Sequence, residues 1–180
     1  NKPYKIRNGY FINLNHRKNR YNTIIKELKK INTIEKIERI SAVNGSKLKN
    51  KKQYISTLSS NSYKVTPGAI GCTLSHVNLW IQKIFYENNE IIVVFEDDIH
   101  IYPFFDDIFS KSMFFLPPDF DIIYLAIHPY TWKYTKPYNS FFRKIYDKNH
   151  GTFGYIITKK GAIKIMKNLF LLKYQFDSHI

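Results

Sequence analysis

The sequence predicts an α/β protein in which helices cover a mostly parallel sheet. Three observations predict it. Short apolar runs of strand length alternate along the chain with segments whose apolar residues recur at three-and-four spacing. Glycine- and proline-containing turn signals separate many of these runs. The 180 residues, 44% of them hydrophobic and 17% aromatic, suit a single domain with a sizeable core.

The first strand is expected over Gly9 to Leu14, a buried run entered through a glycine. A polar turn at Asn15 to Lys18 leads to a helix with Tyr21, Ile24, Ile25, Leu28 and Ile31 on one apolar face. Ile37 to Val43 reads as a second strand closed by Asn44-Gly45, a strong turn pair. Ser46 to Tyr63 is rich in lysine, serine and asparagine, has little periodicity, and is expected to be a long loop that closes over a site. Pro67-Gly68 opens a second helix whose buried stripe is expected at Ile70, Leu74, Val77, Ile81 and Ile84. Ile91 to Phe95 is an apolar strand that runs straight into Glu96-Asp97-Asp98. After Pro103 comes a short amphipathic helix to about Phe114, then a Pro117-Pro118 break and a strand over Asp121 to Ala126. His128 to Lys148 is aromatic, basic and weakly periodic; Gly151 to Thr158 gives a last strand and Lys160 to Phe170 a last helix. In such a sheet, function gathers at the carboxyl ends of the strands, where the acidic triplet falls.

Composition narrows the classes. Cys72 is the only cysteine, which excludes a disulfide framework and a zinc site built of cysteines, and fits a reducing compartment. No run nears the roughly eighteen apolar residues of a membrane span, and Asn1-Lys2-Pro3 opens without the apolar region of a signal peptide. A cytoplasmic location, or one peripheral to a membrane, is the expectation. The missing methionine and abrupt end suggest a trimmed piece of a longer chain, with one domain over residues 1–180. The net charge of +14 admits nucleic acid, anionic membrane or phosphorylated ligands as partners. It admits equally a genome bias, because lysine, asparagine, isoleucine, tyrosine and phenylalanine are all favoured by A/T-rich codons.

Glu96-Asp97-Asp98 is the most chemically pointed run. Three adjacent carboxylates repel each other unless something compensates them. Oxygen ligands of this kind suit Mn²⁺ or Mg²⁺ together with substrate phosphates. In an extended backbone Glu96 and Asp98 share a face. The alternative is an acidic strand end solvated at the surface. The glycine-punctuated start of the second helix offers backbone N–H groups to an anion, or else its glycines permit close packing. His76 within that helix is a core residue or a site residue. Arg17 and Arg20 follow the first strand where arginines commonly meet phosphate, or are two solvated charges.

Taken in order, these motifs resemble glycosyltransferase family 25, which includes lipooligosaccharide and collagen-hydroxylysine galactosyltransferases. The resemblance rests on Phe11-Ile12-Asn13-Leu14-Asn15-His16-Arg17 with Arg20, Ala42-Val43-Asn44-Gly45, and Gly68-Ala69-Ile70-Gly71-Cys72-Thr73-Leu74-Ser75-His76. It continues through Phe95-Glu96-Asp97-Asp98-Ile99, Pro118-Asp119-Phe120-Asp121, Gly154-Tyr155-Ile156-Ile157-Thr158 with Gly161-Ala162, and a near-terminal Asp177. Asn15 and Asn44 stand where the family often has aspartate.

The resemblance implies a GT-A-type nucleotide-binding α/β/α sandwich and metal-dependent, inverting transfer of a hexose from a UDP-sugar. Galactose is favoured and glucose is next; the acceptor hydroxyl would belong to a glycan, a lipid-linked saccharide or a hydroxylysine. Donor binding would fall to Asn13, Leu14, Arg17, Arg20, Gly45, Gly71, Ser75, His76 and Asp97, and the Mn²⁺ or Mg²⁺ ion to Glu96 and Asp98. Asp177 would be the general base on the acceptor, with a third metal-site role the alternative; His179, two residues on, is the further candidate ligand. Two other readings compete: a basic nucleic-acid-binding module and an inactive glycosyltransferase-like scaffold. The acidic triplet argues against a phosphate groove without metal, and no nucleic-acid motif is recognised.

Overall fold

The computed structural model describes residues 6–49, 66–147 and 149–169. Its strands are β1 (Asn8–Asn13), β2 (Lys36–Ser41), β3 (Ile91–Glu96), β4 (Ile122–Tyr124), β5 (Thr135–Pro137), β6 (Arg143–Ile145) and β7 (Gly154–Thr158). Its α-helices are α1 (Lys18–Leu28), α2 (Pro67–Trp80), α3 (Phe105–Ser112) and α4 (Lys159–Asn168). A π-helical turn, Ile81–Tyr86, continues α2, and 3-10 turns lie at Gly45–Lys47 and Pro129–Tyr134.

Five strands form the central sheet in the order β2-β1-β3-β7-β4. β2, β1 and β3 are mutually parallel, and β7 runs antiparallel between β3 and β4. The sheet is thus mixed but mostly parallel and flanked by helices, as the sequence predicts and as a GT-A-like fold requires. Its central strands are buried on both faces, which is why they read as continuous apolar runs rather than alternating ones. Phe11, Val93, Phe95 and Ile156 pack on one face against Ile24 and Leu28 of α1 and Phe109 of α3. Tyr10, Ile12, Val94, Tyr155 and Ile157 pack on the other against Leu79 and Trp80 of α2 and Ala162 and Ile165 of α4.

The expected stripe of α2 is corrected. Leu74, Val77 and Ile81 are only half-buried, while Thr73, Ser75, His76, Leu79 and Trp80 join Ile70 and Ile84 in the interior. The buried face is rotated because its polar members find partners. Thr73 Oγ1 donates to the Ala69 carbonyl (3.0 Å), and Ser75 Oγ donates to the Gly71 carbonyl (2.6 Å) while accepting from the Val43 N–H (2.8 Å). Hydrogen-bonded hydroxyls can be buried at little cost, so apolarity alone misjudges the face. The strand expected over Asp121 to Ala126 shortens to three residues, and the weakly periodic stretch after it holds a β5–β6 hairpin. Of the expected loop Ser46 to Tyr63, residues 50–63 lie outside the described residues.

α2 begins against the exit of β2, and two glycines make that approach possible. A Cβ on Gly71 would sit 2.6 Å from the Gly45 nitrogen and the Val43 carbonyl oxygen; one on Gly45 would overlap the Pro67 carbonyl. Gly68, one turn earlier, has only Thr66 Oγ1 near its notional Cβ, at 3.7 Å. The two glycines of one motif therefore carry opposite expectations. Gly71→Ala costs about 1–3 kcal/mol through overpacking, whereas Gly68→Ala leaves stability unchanged or raises it by about 0.5 kcal/mol. Urea unfolding of the two variants checks this, and equal midpoints would refute the packing account.

Candidate active site at the carboxyl edge of the sheet

β1, β2 and β3 end together, with Asn13 beside Ser41 and Ile12 beside Glu96. This edge opens into a cleft of about 390 Å³ whose walls include Leu14, Arg17, Arg20, Gly45, Ser75, His76, Glu96 and Asp97. Asn13 and Asp98 adjoin it through hydrogen bonds. Asp97, almost buried, accepts from Asn13 Nδ2 at 2.7 Å and from Arg20 Nη1 at 2.9 Å. The same Arg20 nitrogen reaches Asp98 Oδ2 at 2.9 Å, so one guanidinium bridges two of the three acids. Its hydrogen bond to Asp97, with the charges of both acids, raises the Arg20 pKa further above its ordinary range.

The network extends outward through residues the sequence did not single out. Arg39 Nε donates to Asn13 Oδ1 (3.1 Å) and Arg39 Nη2 to Asn15 Oδ1 (2.7 Å), which also accepts from Ser41 Oγ (2.9 Å). Asn15, standing where the family often has aspartate, thus links the ends of β1 and β2. Asn44, the other such departure, caps the 3-10 turn by accepting from the Ser46 N–H.

Glu96 is the last residue of β3, and the chain turns at Asp97 and Asp98. The expectation that Glu96 and Asp98 share a face of an extended strand is therefore not realised. Burial alone would push the Glu96 carboxyl up; the neighbouring His76, Thr152 and Arg20 outweigh it and hold the carboxyl below its ordinary range. Thr152 Oγ1 donates to Glu96 Oε1. It can do so because β7 is antiparallel: the entry of β7 lies at the exit of β3, where the Glu96 N–H also donates to the Phe153 carbonyl (2.9 Å). A threonine just ahead of a glycine-entered strand is the only sequence signal for this contact, and it becomes meaningful only once the strand direction is known.

His76 is a buried part of the cleft wall. Trp80 Nε1 donates to the Tyr155 hydroxyl at 3.1 Å, and that hydroxyl lies 2.7 Å from His76 Nδ1. Burial raises the Tyr155 pKa well above its usual value, so the phenol keeps its proton and has Nδ1 as acceptor. In a neutral ring this assigns the N–H to Nε2, which faces Glu96 Oε1 at 3.6 Å. Cys72, His76 and Glu96 bring one ligand atom each to within 4.8 Å of one another. Counting cysteines excluded an all-cysteine zinc site but could not foresee this mixed sulfur, nitrogen and oxygen group.

Asp98 is more exposed, and its carboxyl is raised by burial and by the charges of Glu96 and Asp97, with Arg20 acting in the opposite sense. The local excess of negative charge and the hard oxygen donors fit a divalent cation. Of the residues expected at the donor, Gly71 is buried against Gly45, and Ser75, on the cleft wall, bonds through its hydroxyl to Val43 and Gly71. Asp177 and His179 lie outside the described residues.

With this geometry in place, comparison with known proteins is specific. The family model of glycosyltransferase family 25 (LPS biosynthesis protein) matches residues 6–180. A curated relative from Anopheles gambiae, a "Glycosyltransferase 25 family member", is 28% identical over 196 residues that cover 94% of this chain and 32% of its own. The chain spans about a third of that relative's length. The match runs through the whole carboxyl-edge network from Asn13 to Thr152, and the chain belongs to glycosyltransferase family 25.

Proposed function

We propose that this protein transfers a hexose, galactose first and glucose next, from a UDP-sugar to an acceptor hydroxyl with inversion at the anomeric carbon. The observation that carries the reading is the meeting of the acidic run with a cationic, glycine-edged cleft at the carboxyl edge of the parallel strands. Arg17 lies on the cleft wall with its side chain exposed, and the first turn of α2 reaches the cleft at Gly68. Both favour an anionic ligand there, through a guanidinium and through N-terminal N–H groups.

Glu96 and Asp98 would hold Mn²⁺ or Mg²⁺, with Asp97 fixed behind them by Asn13 and Arg20. When bound, the cation would neutralise the diphosphate and stabilise it as a leaving group. Arg17 would add charge stabilisation as the bond from the anomeric carbon to UDP breaks. Thr152 and His76 would keep Glu96 ionised and oriented. The acceptor oxygen attacks the anomeric carbon from the face opposite UDP, and its proton must pass to a base; Asp177 is proposed for that part. The acceptor is a hydroxyl of a glycan, a lipid-linked saccharide or a hydroxylysine.

Calorimetry of UDP binding with Mn²⁺ and with a chelator tests the cation: binding is expected to weaken strongly on chelation, and equal affinity in both would remove the ion from the scheme. A screen of nucleotide sugars for slow hydrolysis with Mn²⁺ then ranks the donors.

Asp97 and Asp98 separate scaffold from chemistry. Asp98→Ala should abolish donor turnover with stability unchanged or slightly raised, since it relieves repulsion within the triplet. Asp97→Ala should lower stability by about 2 kcal/mol or more, because the Asn13 amide and Arg20 lose a nearly buried partner. Denaturation of both variants reads this directly; an Asp98 variant that melts with the Asp97 one would make the whole triplet structural.

For Asp177, the substitution Asp177→Asn should leave Mn²⁺-dependent UDP affinity near wild type while transfer falls on the order of a hundredfold. Parallel loss of binding and turnover would move Asp177 into the metal site instead.

A further inference from the structure

The connection between β4 and β7 leaves and rejoins the sheet at the same carboxyl edge as Glu96, because Tyr124 pairs with Tyr155 and the Leu125 N–H donates to the Gly154 carbonyl. Within it, residues 122–146 contain no aspartate or glutamate and four cations, Lys133, Lys136, Arg143 and Lys144. The hairpin register pairs Thr135 with Ile145, Lys136 with Lys144 and Pro137 with Arg143. The Tyr146 N–H donates to the Tyr134 carbonyl and extends the ladder by one pair. Side chains alternate across a strand, so Tyr134, Lys136, Lys144 and Tyr146 share one face and all four are exposed. Thr135, buried, and Ile145, half-buried, turn the opposite way toward the body.

This outward face keeps an unfavourable arrangement. Two lysines directly opposite each other across an antiparallel pair repel. Their ammonium groups lie 5.2 and 5.7 Å from the centre of the same Tyr146 ring, which offsets part of the cost. No carboxylate among the described residues forms an ion pair with Lys133, Lys136, Arg143 or Lys144. The hairpin is thus left with concentrated positive charge that an anionic partner would relieve.

Purely apolar groups sit beside that charge. Phe141, in the hairpin loop, contacts Phe115 at a ring separation of 4.8 Å, with the Asn139 amide tying the two segments by donating to the Phe115 carbonyl. Phe115 is 45% exposed, its neighbour Phe114 63%, and Trp132 58%, with the Arg143 guanidinium 4.3 Å over the Trp132 ring. Exposed phenylalanines joined to a lysine- and tyrosine-bearing face have the composition of an interfacial membrane contact. Tyrosine and tryptophan favour the headgroup level, phenylalanine enters the acyl boundary, and lysine meets anionic headgroups.

A saccharide suits the same face poorly. Sugar hydroxyls are commonly held by carboxylates that accept from them, and the hairpin, residues 134–146, holds none; the first, Asp147, follows the end of its ladder. The Asn139 amide is committed at both ends, its Oδ1 accepting from the Phe141 and Phe142 N–H groups. Cations already lie over the Trp132, Tyr134 and Tyr146 rings that a pyranose would stack on.

We propose that the β5–β6 hairpin, with Phe115 and Phe141 at its edge, docks the protein on an anionic lipid bilayer. The consequence for the cleft follows from connectivity. Thr131, at the foot of the hairpin, is buried and donates to Asn149 Oδ1 (3.3 Å), and Asn149 Nδ2 donates to the Gly151 carbonyl (2.8 Å). The next residue is Thr152, which holds Glu96. A docked bilayer would therefore flank the cleft and, resting on the transfer reading above, would present an acceptor carried at the membrane surface.

The test is flotation of the whole chain with vesicles of phosphatidylcholine alone and with about 30% phosphatidylglycerol, in low salt and in about 0.5 M salt. Binding is expected only to the anionic vesicles and is expected to weaken with salt. Each lysine near such a surface contributes about 1 kcal/mol, or roughly fivefold, so Lys136→Gln with Lys144→Gln should reduce partitioning about twentyfold or more. The same double variant should unfold at the same or a higher urea concentration, because it removes the cross-strand repulsion. A purely structural role for the pair would move both readouts down together. Phe141→Ser should weaken binding in a way that low salt does not restore. The proposal is overturned if wild type ignores anionic vesicles, binds neutral ones equally, or if the double variant still floats. It is overturned also if Phe141→Ser is silent and a soluble polyanion such as heparin binds this face while vesicles do not. UDP affinity of the same variants is expected to stay at wild type, which keeps failure of docking distinct from failure of the transfer reading.

Discussion

The carboxylate of Asp97 is the point on which the carboxyl edge depends. It sits almost buried, directly after β3, and is gripped by Asn13 from the end of β1 and Arg20 from α1. A buried carboxylate is costly unless it is paired and hydrogen-bonded, and here both conditions are met by residues from separate elements. The pairing cannot form unless β1, α1 and β3 are all in place. It also fixes the neighbours. Asp97 held inward turns the chain at the strand end, leaving Glu96 against Thr152 and His76 and Asp98 toward the outer side of Arg20. A repelling triplet is thereby divided: Glu96 has its own partners, while Asp98, the more exposed acid, shares Arg20 with Asp97.

Packing explains why a second element can stand so close to this charge. Gly45 and Gly71 let α2 approach the exit of β2 to backbone contact, and Ser75 fastens the crossing through the Val43 N–H. That approach brings Cys72 and His76 to the cleft, with His76 one side chain away from Glu96. The tyrosine behind it completes a buried hydrogen-bonded chain from Trp80 through Tyr155 to His76. Each link is buried and paired, so the ring that faces Glu96 is held by packing as well as by hydrogen bonds.

What could be read from the sequence, and what could not, follows from the range of each interaction. The strands were legible because a sheet covered on both faces demands unbroken apolar runs, and Ile91 to Phe95 is one. The acidic triplet was legible because three adjacent carboxylates at a strand end repel each other unless something compensates them. The buried face of α2 was not, since Thr73, Ser75 and His76 count as polar until their partners are known. Thr152 and Arg39 were hidden for a different reason. Their roles arise across 56 and 26 residues of chain, through strand order and direction that periodicity does not encode. The family resemblance supplied Arg20 and Asp97 as site residues, while their mutual hydrogen bond required the fold.

Strand direction links the cleft to the rest of the molecule. Because β7 is antiparallel, the whole connection from β4 to β7 begins and ends at the carboxyl edge, and everything it carries is delivered to the side where Glu96 lies. Had β7 run parallel to β3, its entry would lie at the opposite edge and Thr152 could not reach Glu96. The hairpin with its facing lysines would be displaced with it. One reversal in an otherwise parallel sheet therefore does two things at once. It gives the acidic strand end a hydroxyl partner, and it roots the segment that carries the basic, aromatic hairpin at the same edge of the sheet. These two features come from a single chain segment, so a change that alters the path of residues 125–153 should disturb both together, whereas a change at the hairpin's outer face should leave Glu96 untouched.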